Sequence, residues 1–175
     1  PTIQGLSIRA SAPSGACRAL VTLDGQPLND PFGGWVIWGA MLPETISGAT
    51  ILRGAGAGPY GAGALTGTVQ LNERRSQGAV LSLESGDRGY VRAAGVGEAH
   101  GDAWSFMLAA AAQQDDGWIP VRDRRGAADT PLWSDSLAGA ARIEWRDGER
   151  VFSARLSGYS ESRGAGLVGA ESVSD

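Results

Sequence analysis

Three stretches of this chain alternate side chains one residue at a time, so that along each an apolar face opposes a mixed or polar one. In 103–113, Trp104, Phe106, Leu108, Ala110 and Ala112 share one face, and Ser105, Met107, Ala109, Ala111 and Gln113 share the other. In 135–146, Leu137, Gly139, Ala141, Ile143 and Trp145 oppose Ala138, Ala140, Arg142, Glu144 and Arg146. In 151–162, Phe152, Ala154, Leu156 and Gly158 oppose Ser153, Arg155, Ser157 and Tyr159. A period of two is the signature of a β-strand with two unlike faces. Two earlier stretches, 78–85 and 90–98, read as strands as well.

A wholly apolar strand face must meet either lipid or a second sheet. An arginine on the lipid side of a membrane strand costs roughly 2–4 kcal/mol at mid-membrane. Arg142 and Arg155 therefore point into a wet lumen if these strands cross a membrane. The three stretches run about 11–12 residues by this reading, close to the roughly 9–11 that a tilted membrane strand needs. The residues 100–102 and 147–149 read as tight turns on one side. The long polar segment 115–134 and a loop opening at Arg163 fall on the other, with 86–89 a tight exception there. Short turns on one side and long loops on the other are the habit of outer-membrane barrels. Trp104, Trp145 and Phe152 sit on the apolar face beside the tight turns, where an interfacial aromatic girdle belongs. The competing reading is a soluble β-sandwich with these rings in its core, a β-rich module of the kind that binds carbohydrate.

Composition narrows the function classes. The 27 glycines among 175 residues disfavour long helices and suit turns and close backbone approaches. A net charge of −4, with Arg122, Arg124 and Arg125 the one small basic cluster, disfavours nucleic acid as partner. Cys17 is the single cysteine, so no disulfide forms within the chain, and His100 is the single histidine. No metal site or cofactor is expected from such a set, and no nucleophile–base or carboxylate pair points to an enzyme. His100 reads as an exposed turn residue. No apolar run approaches the roughly 20 residues of a membrane helix. Both ends of the sequence look cut, which suggests a piece of a longer protein.

The segment before residue 73 has another texture. Strands are expected over 18–23, 50–52 and 67–71, with a helical turn around Pro43 and a glycine-rich loop over 54–63. That loop lacks the Gly-Lys-Ser/Thr and following helix of a phosphate cradle. Two ordered blocks stand out. One is Leu23-Asp24-Gly25-Gln26-Pro27-Leu28-Asn29-Asp30-Pro31-Phe32-Gly33-Gly34-Trp35. The other is Ile51-Leu52-Arg53-Gly54, followed by Tyr60-Gly61-Ala62-Gly63-Ala64-Leu65-Thr66-Gly67-Thr68-Val69. Their order and spacing resemble the plug of TonB-dependent outer-membrane receptors, with Asp24, Gly25, Arg53, Gly54, Tyr60, Gly61 and Gly67 in the positions of the motif. The chain departs from that pattern at Gln4, at Ala55, and at Ser47 and Thr50, where the family usually carries two glutamates.

The resemblance implies an all-β dominated fragment. Residues 1–72 are then the second half of a small α+β plug, and 73–175 the first antiparallel strands of a transmembrane β-barrel. It implies a receptor in the cell outer membrane of a Gram-negative bacterium, transporting a scarce ligand such as a ferric siderophore or cobalamin. Its partners would be outer-membrane lipid, a small-molecule or metal-chelate ligand, and the TonB complex, reached through a segment that precedes this one. The loop 29–38 resembles the family's apical loop, so Asn29, Asp30, Phe32, Trp35 and Trp38 are the candidate ligand-binding residues, joined by the loop 115–134.

Overall fold

The computed structural model describes residues 3–4, 6, 19–54, 64, 66–123, 125–168 and 171–174. Two compact units are present, Pro1–Arg75 and Ser76–Asp175. The first contains β1 (Ile3–Gln4), β2 (Ala19–Leu23), β3 (Gln26–Pro27), β4 (Val36–Ile37), β5 (Ile46–Arg53) and β6 (Gly67–Glu73). The helical part of the expected α+β character is confined, among the described residues, to two three-residue 3-10 turns, Trp38–Ala40 and Pro43–Thr45.

β2 and β6 lie parallel at the centre of a sheet ordered β3-β2-β6-β5, with Ala19 opposite Gly67 and Leu23 opposite Leu71. A parallel pair is normally covered on both faces and is apolar throughout. Ala19–Leu23 is accordingly buried at every position. Val21, Leu23, Val36, Val69 and Leu71 form the core cluster, with Leu28, Trp38, Met41 and Ile46 packed against it. β5 is longer than the expected 50–52 because its antiparallel ladder to β6 continues past Gly48 to Ile46, with an irregularity between those two residues. Gly48 breaks the run of strand-favouring residues and hides the extension from the sequence.

The second unit is an antiparallel meander of β7 (Gly78–Ser85), β8 (Val91–His100), β9 (Trp104–Asp115), β10 (Ser134–Asp147), β11 (Arg150–Gly164) and β12 (Glu171–Ser174), each paired with its sequence neighbour. β9, β10 and β11 have 12, 14 and 15 residues, somewhat longer than the alternation alone indicates. β12 occupies part of the segment read as an open loop.

Register fixes which side chains share a face. One face carries Leu81, Leu83, Phe106, Leu108, Leu137, Ile143, Phe152 and Leu156, and all of them are exposed. Leu81, Leu108 and Leu156 are 85%, 69% and 77% exposed, while Met107 and Ala109 on the opposite face are 2% and 3% exposed. A sandwich would bury the first face against a second sheet, whereas among the described residues that face stays exposed. So large an apolar patch exceeds what a soluble monomer leaves open. Trp104, Trp145 and Phe152 are cross-strand partners beside the two tight turns. Their rings stand 6.2 and 5.4 Å apart, centroid to centroid, with Phe106 stacked on Trp104 at 6.2 Å. If lipid covers the apolar face, Leu108→Arg is expected to destabilise the sheet by about 2–4 kcal/mol. Ser157→Arg, on the opposite face, is expected to be nearly neutral. Urea unfolding in lipid vesicles reads both, and equal losses would contradict the assigned faces.

Candidate ligand-facing loop and polar wall

The loop 29–35 is built on its own polar side chains. Asn29 Oδ1 accepts the Val21 N–H at 2.7 Å, and its Nδ2 donates to the Ala19 and Gly34 carbonyls at 3.1 and 2.9 Å. This amide thus completes the edge of β2 beyond the point where the short β3 ends. Asp30 Oδ1 accepts the Phe32 and Gly33 N–H groups at 2.9 and 2.6 Å, and backbone bonds Asp30 N–H to Trp35 O and Gly34 N–H to Asp30 O close the turn. The Trp35 ring lies over Gly33, where a β-carbon would fall inside it.

The candidates thus separate by role. Phe32 is 96% exposed at the loop tip, and Trp35 keeps an exposed edge. Asn29 and Asp30 set the loop's shape, and Trp38 roots it against the core. Asn29→Ala would leave backbone groups of β2 unpartnered and is expected to destabilise by about 1–3 kcal/mol. Chemical unfolding checks this, and a loss confined to ligand affinity would contradict the bracing role.

The motif residues lie on the same sheet. Asp24 adopts φ 47° and Gly25 φ 83° in the turn between β2 and β3. A Gly at the second position meets no steric penalty there, while Asp24 is held by its partners. Its N–H donates to Leu71 O at 2.9 Å, its Oδ1 accepts the Glu73 N–H at 3.0 Å, and its Oδ2 pairs with Arg75 at 2.7 Å. Arg53 stands opposite Gly67, and the Gly54 N–H donates to Thr66 O. Tyr60 and Gly61 lie outside the described residues, as do Cys17, Ala55 and Arg124. Ser47 donates its hydroxyl to the Asn72 and Glu73 carbonyls at 3.1 and 3.2 Å. Thr50, opposite Gln70, is exposed.

Sequence reasoning placed Arg142 and Arg155 on the polar face of the second unit but missed the partner that Glu98 supplies there. Cross-strand register lines up Glu98, Met107, Arg142 and Arg155 on the face opposite the leucines. Arg142 reaches over Met107 to Glu98, Nη2 to Oε1 at 3.0 Å, with the two side chains 3% and 1% exposed. Arg142 stands on the face the alternation assigned to it, and there it is buried and paired. Arg155, by contrast, is exposed. His100 is exposed beside the tight turn, as expected. It ends β8, and its Nε2 lies 2.9 Å from Glu98 Oε1. Glu98 and His100 are two residues apart on one strand, so period-two spacing was the available signal. In the next row, the Ser105 hydroxyl donates to Glu144 Oε2 at 3.3 Å.

Toward the long loops, Glu84 pairs with Arg92 at 3.0 Å and accepts the Tyr90 hydroxyl at 3.1 Å. Burial, then the Glu84 bond, pushes the Tyr90 phenol up from its usual range. Between these polar layers lie Ala94, Val96, Ala109, Ala138 and Ala140, all buried. Glu98→Ala removes one side of a buried ion pair and is expected to destabilise by about 3–5 kcal/mol. Combining it with Arg142→Met should recover most of that loss. Thermal unfolding of both variants checks it, and additive losses would contradict the pairing.

The loop that follows β9 is ordered against the one that follows β11. Asp129 and Leu167 form an antiparallel bridge. The Thr130 N–H donates to Gly166 O, the Val168 N–H to Ala128 O and the Gly164 N–H to Trp133 O, at 3.0–3.1 Å. Trp118, Leu167 and Val168 remain exposed on this pair of loops. Among the described residues, no three His, Cys, Asp or Glu side chains are grouped to hold a metal ion.

No family model matches the sequence, and no curated protein resembles it in sequence. Solved structures do resemble it. The siderophore receptor PirA from Pseudomonas aeruginosa superposes with TM-score 0.64 at 19% identity, over 93% of this chain and 30% of that one. The copper transporter OprC gives 0.63 at 18% identity, over 83% and 23%. The ferric enterobactin receptor PfeA gives 0.62 at 13% identity, over 93% and 30%. At such identities the likeness establishes the fold alone, one shared with part of each of these receptors. The chain spans between 23% and 30% of the length of these receptors.

Proposed function

We propose that this chain is part of a TonB-dependent receptor of the Gram-negative outer membrane, with residues 1–72 belonging to its plug and residues 73–175 forming its first barrel strands. The observation that carries the reading is the division of faces in the second unit, with an exposed apolar face edged by Trp104, Trp145 and Phe152 and a polar face holding Glu98, Arg142 and Glu144. In this reading lipid covers the first face. The resemblance of both motif blocks to the plug, and the solved receptors that share the fold, support it.

The parent imports a scarce ligand across a membrane that has no ATP of its own, so the energy arrives mechanically from the TonB complex through a segment ahead of these residues. A metal-bearing cargo, a ferric siderophore or cobalamin, is favoured. The solved neighbours include a copper transporter and receptors for siderophores. Phe32 and Trp35 are the side chains of the first unit that meet the ligand. Asn29 and Asp30 hold the loop in shape beneath them, and Trp38 anchors it. Two rigid aromatic rings offer broad contact area with little rotamer entropy to lose. No chemical step on the ligand is part of the proposal.

Two measurements test this. The full-length parent, expressed in a Gram-negative host, should appear in the outer-membrane fraction with heat-modifiable gel migration. A soluble product with no such shift would overturn the receptor reading. Against a panel of ferric siderophores, cobalamin and copper, Phe32→Ala and Trp35→Ala should each weaken binding of the recognised ligand by about tenfold or more. Unchanged affinity in a folded variant would remove this loop from the site.

A further inference from the structure

The order of β2, β3 and β6 has a mechanical consequence. β2 and β6 are parallel, so their N-terminal ends lie at one end of the pair and their C-terminal ends at the other. The chain ahead of the sheet joins β2 at Ala19, at the N-terminal end of the pair. The chain leading to the second unit leaves β6 at the opposite end, through Glu73, Arg75 and Ser76. Tension applied ahead of Ala19 and resisted at Ser76 pulls the two strands in opposite directions along their own axes. The ladder then bears load in shear, with its evenly spaced bonds strained together. Peeling from one end would instead break them one at a time.

Side chains reinforce the far end of this ladder. Asp24 follows the last β2 residue and reaches beyond the strand to the Glu73 N–H at 3.0 Å and to Arg75 at 2.7 Å. Its positive φ of 47° is uncommon for a residue with a β-carbon and is held by these bonds and by its own N–H to Leu71. The other edge of β2 is closed by the Leu28 N–H to Val21 O and by the Asn29 amide. β5 borders β6 but does not lie between the two loaded ends.

We propose that β2 and β6, closed by Asp24, form a shear clamp that stops an N-terminal pull at Ala19 and keeps residues 19–75 folded until the clamp breaks. Its function rests on the proposed reading that the chain is drawn from its N-terminal side. Its mechanics do not.

The test is single-molecule force spectroscopy on the full-length parent held in a lipid bilayer, pulled from a handle at its N-terminus. One dominant rupture is expected for residues 19–75, releasing about 200 Å of chain at roughly 3.5 Å per residue. Asp24→Ala lowers that rupture force. Asp24→Asn, which keeps an acceptor for the Glu73 N–H and tolerates the backbone angle, lowers it less. Ser47→Ala on β5 leaves it unchanged. Moving the handle to Gln26→Cys, in a Cys17→Ser background, places both loaded points at the same end of the pair and should replace the dominant rupture by peeling at lower force. Equal forces in the two geometries, a staircase of small steps from the N-terminal handle, or an Asp24→Ala trace like the wild type would each overturn the clamp. Heat-modifiable migration tests the receptor reading separately, so failure of either idea can be told from failure of the other.

Discussion

A strand that separates hydrocarbon from a polar interior can carry charge on one side only, and on the proposed reading most of the second unit follows from that constraint. The penalty for an arginine facing lipid is a sizeable fraction of a domain's net stability. It is repeated at every outward position, which leaves the register little freedom. Once Leu108 faces outward, Met107 must face inward, and the pairing of β9 with β10 then brings Arg142 alongside Met107. Glu98 arrives from β8 by the same rule. The ion pair is thus a product of register, since its partners sit on strands that are not themselves adjacent.

The strands of the second unit were legible because alternation is a local signal, written in neighbouring residues. Their ends were less so. β11 runs to Gly164 past the last alternating apolar residue, because it is paired on both sides there, with β10 and with β12. β12 itself is four residues long and takes its stability from β11. In the first unit Gly48 concealed half of β5, whose strand character comes from the register with β6. A pairing partner distant in sequence leaves no mark that a local pattern can show.

The candidate loop was legible in position and only partly in role. Asn29, Asp30, Phe32, Trp35 and Trp38 look alike as polar and aromatic residues in a loop without regular structure. What separates them is contact with strands: Asn29 bonds to β2 ten residues earlier in the chain, and Trp38 lies on the core. Glu98 and His100 were overlooked for the converse reason. Glu98 gains its meaning from an arginine 44 residues away, and His100 from Glu98 in turn.

The backbone bonds that join Ala128 and Thr130 to Val168 and Gly166 tie two loops that are far apart in sequence. Loops are usually the parts of a protein free to change length independently. Here an insertion between residues 126 and 130 would put the bonds from 128–130 to 166–168 out of register unless that segment changed as well. The two loops are therefore constrained to vary as a matched pair, and diversity on this rim should come from substitutions at outward positions such as Trp118 and Leu167 while loop lengths stay fixed.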